Sequence, residues 1–330
     1  MNTLAAIEKD VALIDLSDVA YLRVSGPDHR AFLQAQLTSD IEMLGTHVVQ
    51  PTAWLNPKGQ VLTLMTLLGY EDHVDVLLPT WQCATILQRL RMFVLRSKVT
   101  IARLDDQASD PAGDAIGCIG LAGPTASTWF KEHVGFTAPE VRRITAQGDM
   151  SCASLPGSIP RLVLFAPRQK IAALVEQSGA APADTAMWAI ASVRAGVPTL
   201  HPQTSQRYIA QMLNLDLSGA VSFDKGCYPG QEIVARTQYL GKLKRRLSRG
   251  TTIGPPPDPL TAIHRGTTKV GEVVDSAPTA SGGAIVLGML GVDAATELKD
   301  STLTIGEIGS PQDVKMTLSP SNFEGNGSDV

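Results

Sequence analysis

The sequence predicts an α+β protein in which two similar α+β lobes are followed by a small β-barrel. Three observations support this fold class: a strand-turn-helix segment that occurs twice, a second repeated segment in the same order, and a change of texture after Gly241. At 330 residues the chain is too long for one ordinary core, so two or three domains are expected. The predicted boundaries are 1–240 for the two-lobe region, with lobes of about 1–110 and 111–240 that are consecutive or interleaved, 241–318 for the barrel, and 319–330 for a disordered tail.

The first repeat consists of "YLRVSGPDHRAF" (21–32) and "IGCIGLAGPTASTWF" (116–130). Each segment has an alternating apolar stretch, then Gly-Pro, then a helical pattern, and the two glycines, Gly26 and Gly123, are 97 positions apart. Each segment therefore predicts a strand, a turn and a helix, with the proline in the first helical turn, where its missing N–H costs nothing.

The second repeat consists of "VDVLLPTWQCATILQRL" (74–90) and "LVLFAPRQKIAALVEQ" (162–177), again a strand followed by a helix. Between the two units of the first lobe, "AWLNPKGQVLTLMTLL" (53–68) has a Pro-Lys-Gly turn that joins two apolar runs. This pattern predicts a β-hairpin. Each lobe is therefore expected to carry helices on one face of an antiparallel or mixed sheet.

The stretch after Gly241 has short apolar or alternating runs interrupted by Gly, Pro and Ser, with no long helical period. This texture predicts a small β-barrel or a sandwich. The last twelve residues, "SPSNFEGNGSDV", are polar and rich in Gly, Ser and Asn, which is typical of a disordered tail.

Composition and charge exclude several classes of partner. The formal net charge is −4, from 28 Lys and Arg against 32 Asp and Glu, so no overall positive field exists to attract nucleic acid or an anionic membrane. Glu8, Lys9 and Asp10 interrupt the N-terminal stretch where a signal peptide would be apolar, and the apolar runs elsewhere are too short to span a bilayer. We expect a cytoplasmic protein with no membrane partner and no direct nucleic-acid binding.

The segment "DKGCYPGQEIVARTQYLGKLKRRL" (224–247) carries the clearest chemical signal. Pro229 and Gly230 fit a type II turn, and the residues from Gln231 onward predict a short helix stopped by Gly241 or, less favourably, a strand. On the helical interpretation Cys227 lies just before a helix N-terminus and beside Lys225. Both features favour the thiolate, which is a nucleophile and a soft-metal ligand.

The alternative for any cysteine is that it is packed and inert. Cys83 and Cys118 lie in apolar helix and strand patterns and are expected to be inert, whereas the pattern around Cys152 leaves its role open. The four cysteines are 35, 34 and 75 positions apart, which excludes CxxC metal motifs and indicates thiols in a reducing compartment.

The same segment, together with "SVRAGVPTLHPQTSQRYIAQMLNLD" (192–216), resembles the YgfZ group of folate-binding iron-sulfur maturation proteins. That group is related to a eukaryotic maturation factor and, more distantly, to the aminomethyltransferase of the glycine cleavage system. The resemblance implies a ring of three domains, a bound tetrahydrofolate or derivative, and assembly or repair of iron-sulfur clusters, including those of tRNA-modifying enzymes.

The resemblance also implies site residues. The functional lysine and cysteine of the group fall on Lys225 and Cys227, and Cys227 is also the implied metal ligand. Trp188 matches a tryptophan that lines the folate pocket, where an indole face would stack on a pterin, although it equally fits the apolar face of a helix. The other motif positions are Gly226, Tyr228, Gly230, Gln231, Glu232 and Arg236. Lys242, in the cationic run that follows the motif, is a further candidate folate-binding residue.

One cysteine supplies too few ligands for a cluster, so any cluster is expected to be transient and shared with a partner. The implied partners are A-type iron-sulfur carriers or client iron-sulfur enzymes. If "KLKRRL" (242–247) is a strand, Lys242, Lys244 and Arg246 share one face, which would bind a folate polyglutamate tail or an acidic partner. The alternative is a solvated edge strand whose lysines prevent aggregation.

Departures from the aminomethyltransferases decide between the candidate functions. Those enzymes anchor the pterin through a glutamate, but the corresponding "LPGSIPRLVLFAP" (155–167) contains no acid. Val19, Arg194 and Ala210 also replace residues that are frequent in relatives. A tetrahydrofolate-dependent one-carbon transferase is therefore the second candidate function, and a folate-binding scaffold without chemistry is the third.

Overall fold

The computed structural model describes residues 3–105, 115–179, 182–292, 303–306 and 314–319. The predicted tail at 319–330 lies outside these residues, except for Ser319. None of the described helices is both long and apolar enough to cross a membrane.

The described residues include seven α-helices and sixteen β-strands. The strands form two five-stranded sheets and a C-terminal barrel. The helices are α1 (Thr3–Lys9), α2 (His29–Gln34), α3 (Thr80–Val94), α4 (Ala126–Val134), α5 (Arg168–Ser178), α6 (Ala186–Arg194) and α7 (Gln231–Tyr239). The strands of the first half are β1 (Ala12–Asp15), β2 (Val19–Ser25), β3 (Val49–Leu55), β4 (Val61–Gly69), β5 (His73–Pro79), β6 (Thr100–Arg103), β7 (Ile116–Ala122), β8 (Ile144–Gln147), β9 (Met150–Leu155) and β10 (Arg161–Pro167). The remaining strands are β11 (Arg245–Ile253), β12 (Ala262–Arg265), β13 (Thr268–Pro278), β14 (Gly283–Gly291), β15 (Leu303–Ile305) and β16 (Val314–Ser319).

The two sheets have matching strand orders. The first is antiparallel in the order β3-β4-β5-β2-β6, and the predicted hairpin is its β3–β4 pair. The second has the order β8-β9-β10-β7-β1, also antiparallel. Its edge strand β1 comes from the N-terminal end of the chain and precedes every strand of the first sheet in the sequence. The second sheet is therefore completed by a strand that lies next to the first repeat in the sequence.

The predicted equivalence of Gly26 and Gly123 extends to their contacts. Both have positive φ angles, of 104° and 136°, and a Cβ on either would lie within 2.3 Å of a carbonyl oxygen, that of Lys98 and of Asp10 respectively. Only glycine allows a backbone to approach so closely in this conformation. The turn after each glycine takes up the proline and the residue that follows it. Helices α2 and α4 therefore begin two positions after the prolines, not at the prolines as predicted.

Each sheet has one helix-covered face and one face turned toward the other sheet. Helices α2 and α3 cover the first sheet, and α4 and α5 cover the second. Between the sheets, Tyr21 stacks on Phe165 with ring centroids 4.8 Å apart. Asp75 is fully buried beside this stack and accepts hydrogen bonds from the Tyr21 hydroxyl and, at 2.8 and 2.9 Å, from Arg23. The result is a helix-sheet-sheet-helix arrangement of α+β lobes.

The C-terminal strands curl into a barrel instead of forming a two-sheet sandwich. The order is β11-β14-β13-β12-β15-β16, and pairing of β11 with β16 closes it. One face of the barrel packs on the segment that follows α6, in a shared hydrophobic cluster that includes Val193, Tyr208, Tyr228 and Leu287. This contact places the loop before α7 between the barrel and the first sheet.

Candidate functional site

The loop before α7 has the predicted turn. The Gln231 amide donates to the Tyr228 carbonyl at 3.2 Å, and Gly230 has φ 81° and ψ −1°, the values of the third position in a type II turn. Helix α7 follows directly, which confirms the helical interpretation over a strand. At its end the Gly241 amide donates to the Arg236 carbonyl at 2.8 Å. Cys227 therefore lies four residues before the start of a helix.

The β3–β4 turn packs against this loop. A Cβ on Gly230 would lie 2.6 Å from the Asn56 carbonyl oxygen, and a Cβ on Gly59 would lie 2.8 Å from Cβ of Ile233. Both glycines also have positive φ angles. The β3–β4 turn and the loop before α7 pack so closely that only glycine fits at these two positions.

The Lys225 ammonium anchors the loop to the first lobe. Its Nζ donates to the carbonyl oxygens of Leu37 at 2.8 Å and Ser39 at 2.7 Å, and lies 5.2 Å from the ring centroid of Tyr228. The sequence predicts that the ammonium acts on the Cys227 thiol. In the described part of the chain its hydrogen bonds go to backbone carbonyls, so its effect on the thiol stays a prediction.

Burial lowers the pKa of Lys225 to about 8, although the nearby charges of Asp40 and Glu42 oppose the shift. Two other buried polar atoms, the Tyr228 hydroxyl and the Ser39 Oγ, have no hydrogen-bond partner among the described residues. Burial also raises the pKa of Tyr228 to about 12. Burial therefore lets the Lys225 side chain lose its proton at a lower pH than an exposed lysine would.

Of the four cysteines, all of which are described, Cys227 is the exposed one. Cys83 and Cys152 are buried, and Cys118 is partly covered. Burial raises the pKa of Cys118 and of Cys152 far above the ordinary value for a thiol. Cys152, whose role the sequence leaves open, is thus an inert core residue, and Cys227 is the thiol that a partner can reach.

Of the remaining motif and folate-binding candidates, one is hydrogen-bonded to the loop and three are exposed to solvent. Gln231 donates from Nε2 to the Lys225 carbonyl at 3.3 Å, which ties the start of α7 to the loop. Glu232 and Arg236 are exposed on α7, and Lys242 is exposed in the segment that follows it. These three side chains are available to a ligand or partner.

Trp188 lies in a different cluster from the cysteine loop. It is half-buried on α6 and joins the hydrophobic cluster between the two sheets, where a Cβ on Gly120 would lie 2.8 Å from its ring. The guanidinium of Arg161 lies 5.8 Å from the Trp188 ring centroid and donates to the Ser192 hydroxyl at 3.0 Å. Burial lowers the pKa of Arg161 to about 10.

Sequence reasoning missed two parts of the site. The carbonyls of Leu37 and Ser39 carry no sequence signal, because any residue supplies a carbonyl. Arg161 does carry one, since a single cation at the start of an apolar strand is unusual, and its Nε is buried with no partner among the described residues.

The cationic run differs from its predicted arrangement. Strand β11 begins at Arg245, so Lys242 and Lys244 precede it. Arg246 donates from its two terminal nitrogens to the two carboxylate oxygens of Asp216, each at 2.9 Å. The prediction that Lys242, Lys244 and Arg246 share one strand face is therefore wrong, because the strand starts too late and an acidic partner holds Arg246.

In the part of the chain that the structure describes, no three His, Cys, Asp or Glu side chains gather where they could hold a metal ion. The site thus offers one reachable thiol, an amine with a lowered pKa and a rigid double-glycine support.

The whole fold is similar to that of the glycine cleavage system aminomethyltransferase T from Bartonella henselae. The TM-score is 0.79 at 14% identity, over 98% of this chain and 89% of that chain. The protein therefore has the aminomethyltransferase fold, with its two α+β lobes and a C-terminal curled sheet.

Sequence similarity gives the family. The chain is 31% identical over 235 residues to the tRNA-modifying protein YgfZ of Colwellia psychrerythraea, covering 71% of this chain and 70% of that protein. YgfZ of Blochmanniella pennsylvanica is 28% identical over 247 residues, covering 73% and 72%. No family model matches the chain. The chain belongs to the YgfZ family, which confirms the resemblance drawn from the cysteine motif.

Proposed function

We propose that this protein acts in the assembly or repair of iron-sulfur clusters, with the Cys227 thiolate as the group that engages cluster iron or a partner's sulfur. The observation that carries the proposal is the exposure of Cys227 on a loop held from two sides. The Lys225 ammonium ties the loop to the first lobe, and Gly230 packs it on the β3–β4 turn. A fixed, reachable thiol suits transfer between proteins.

A partner is needed because one cysteine cannot hold a cluster. An A-type iron-sulfur carrier or a client iron-sulfur enzyme would supply the remaining ligands, and the cluster would be shared only transiently. The relatives are tRNA-modifying proteins by name, and we assign the same context to this chain. The link to tRNA would then run through iron-sulfur enzymes in the cytoplasm, without direct nucleic-acid binding by this protein.

The second part of the proposal is a bound tetrahydrofolate or derivative near Trp188. The indole is only half-buried, so part of it can contact a flat ring, and the unpartnered Nε of Arg161 is a donor suited to a pterin acceptor. A folate supplies one-carbon chemistry when it is bound. In this chain Trp188 and Arg161 would orient it, while the exposed Lys242 would meet its charged tail.

The domain division that fits this proposal has the two lobes at 1–240 and the barrel at 241–318, arranged as a ring around the folate. Barrel residues and the segment after α6 share one hydrophobic cluster, and the sheets share another, so each unit contacts a neighbour. The position of β1 in the second sheet makes the boundary between the lobes discontinuous in sequence.

The second candidate function is a tetrahydrofolate-dependent one-carbon transferase, which the aminomethyltransferase fold favours. Such a reaction needs a positioned proton acceptor near the folate nitrogen. The segment 155–167 instead contributes the guanidinium of Arg161, which donates hydrogen bonds and cannot accept a proton. Iron-sulfur maturation therefore remains the better-supported function.

The deciding experiment is complementation in a bacterial strain that lacks its own YgfZ protein. Thiolated or methylthiolated nucleosides made by an iron-sulfur enzyme are measured in its tRNA. We expect wild type to restore them and both Cys227→Ala and Cys227→Ser to fail, because neither replacement supplies a thiolate. Gln238→Ala on the exposed surface of α7 is the matched control. Restoration by Cys227→Ser would exclude the thiolate role, and restoration by both variants would favour a scaffold.

A further inference from the structure

A cleft of about 320 Å³ lies away from the cysteine loop, where the N-terminal helix, the second lobe and the barrel meet. Helix α1 contributes Glu8, the end of α6 contributes Arg194, and β11 of the barrel contributes Arg249. Ser158, in the connection between β9 and β10, lies at the same cleft. Three separate parts of the fold thus bring two guanidinium groups and one carboxylate together.

Arg194 is buried, with 8% of its side chain exposed, and is paired with Glu8. Its Nε nevertheless has no hydrogen-bond partner among the residues that the structure describes. A buried N–H of a charged group that lacks an acceptor is costly, and native structures rarely leave one unmatched. The Arg194 side chain lines the cleft, so a ligand bound there can contact its guanidinium group.

Arg249 is half-buried on β11, and no described residue forms an ion pair or side-chain hydrogen bond with it. Burial, together with the positive charge of Arg194, lowers the pKa of Arg249. Two guanidinium groups of like charge therefore line one partly buried cleft, and Glu8 pairs with only one of them. An added anion would offset the remaining positive charge and accept hydrogen bonds from both groups.

We propose that this cleft is an oxyanion-binding site in which Arg194 and Arg249 hold a phosphate or carboxylate group. Guanidinium groups are planar forks that bind both kinds of oxyanion through paired N–H donors. The site is independent of the proposed role of Cys227, because it uses none of the residues of the cysteine loop. A ligand there would touch the barrel and the second lobe at once and would therefore strengthen their contact.

The test is isothermal titration calorimetry of the full chain with inorganic phosphate in one arm and glutarate in the other, at low ionic strength. Wild type is compared with Arg249→Gln and with Arg245→Gln, which removes an exposed cation from the same strand. We expect at least one of the two anions to bind wild type and Arg245→Gln equally. Arg249→Gln should lose at least about tenfold in affinity, the loss typical of a hydrogen-bonded charge. The arm that binds identifies the ligand as phosphate or carboxylate.

If Arg249→Gln fails to fold, Arg249→Lys replaces it, because lysine keeps the charge but lacks the paired donors. Weaker binding by Arg249→Lys than by wild type would then support the site. Absence of binding by wild type in both arms would overturn the proposal. So would an Arg249 variant that binds as tightly as wild type, or an equal loss in Arg245→Gln, which would indicate nonspecific attraction to positive charge.

Discussion

Gly230 lies directly against Gly59, so that a Cβ on Gly230 would come within 2.9 Å of the Gly59 Cα. The two residues belong to turns that are far apart in the sequence and that carry the two most recognisable motifs of the chain. Their contact joins the β3–β4 turn to the cysteine loop through backbone atoms alone. The position of Cys227 therefore depends on the absence of side chains at both glycines.

Gly230→Ala is expected to destabilise the protein. A residue held at positive φ costs about 1–3 kcal/mol, and the clash with the Asn56 carbonyl adds to this cost. Urea unfolding monitored by circular dichroism measures the change. Gly226→Ala is the control, because a Cβ there meets nothing within 4 Å. Equal stability of the two variants would contradict the close packing of the turns.

Cys227 is expected to react with iodoacetamide much faster than the other three thiols in the native protein. Exposure makes it accessible, whereas burial hinders access to Cys152 and disfavours its thiolate. Peptide mapping by mass spectrometry after timed alkylation at pH 7.5 gives the four rates, and we expect a difference of about tenfold or more. Cys227→Ser should abolish the fast phase. Comparable labelling of Cys152 would show that the core opens more readily than the structure implies.

Lys225 is expected to make stability depend on pH in the alkaline range. Burial lowers its pKa from 10.5 to about 8, so between these values the unfolded chain binds more protons than the folded one. Stability from this group therefore rises with pH from about 8 to about 10.5, and the penalty for burying the charge is largest below pH 8.

Lys225→Met removes this dependence, and the exposed Lys244→Met serves as its control. The measurement is the free energy of unfolding in urea at several values from pH 7 to pH 10. Wild type should gain stability relative to Lys225→Met as the pH rises, and Lys244→Met should follow wild type. Parallel curves for wild type and Lys225→Met would rule out a lowered pKa.

Arg246→Ala is expected to cost about 1–3 kcal/mol of stability, since it leaves the largely buried carboxylate of Asp216 without its donors. Lys244→Ala, two residues earlier and exposed, should change stability by less than about 0.5 kcal/mol. Chemical unfolding of both variants at pH 7 provides the comparison. A larger loss in Lys244→Ala than in Arg246→Ala would reverse the assignment of structural and surface roles.

Two exposed cations of this run, Lys242 and Lys244, are expected to bind the charged tail of a folate. Calorimetric titration of mono- and polyglutamylated tetrahydrofolate into wild type and the Lys242→Ala/Lys244→Ala variant tests this. The variant should bind the monoglutamate normally but lose the advantage of the polyglutamate. An unchanged polyglutamate advantage would mean that these residues only keep the surface solvated.

The features that sequence alone could predict are local. Alternating apolar residues, the Gly-Pro turns and the Pro229-Gly230 pair specify strands, turns and α7 because each depends on neighbours a few positions away. The two repeats also predict two similar lobes, and the motif around Cys227 predicts the family. The start of β11 does not follow from the local sequence alone. The residues at 242–246 are compatible with a strand, but β11 begins at Arg245 because its pairing with β14 begins there.

Tertiary structure decided the long-range contacts. Lys225 donates to Leu37, 188 positions earlier, and Arg194 pairs with Glu8, 186 positions earlier. The sequence also left open which sheet receives β1, and the structure places β1 beside β7. No local pattern specifies such partners, because the free energy of each contact depends on which surfaces the packed lobes and barrel bring together. The sequence by itself determined which segments form and which thiol stands out, whereas packing determined what holds that thiol in place.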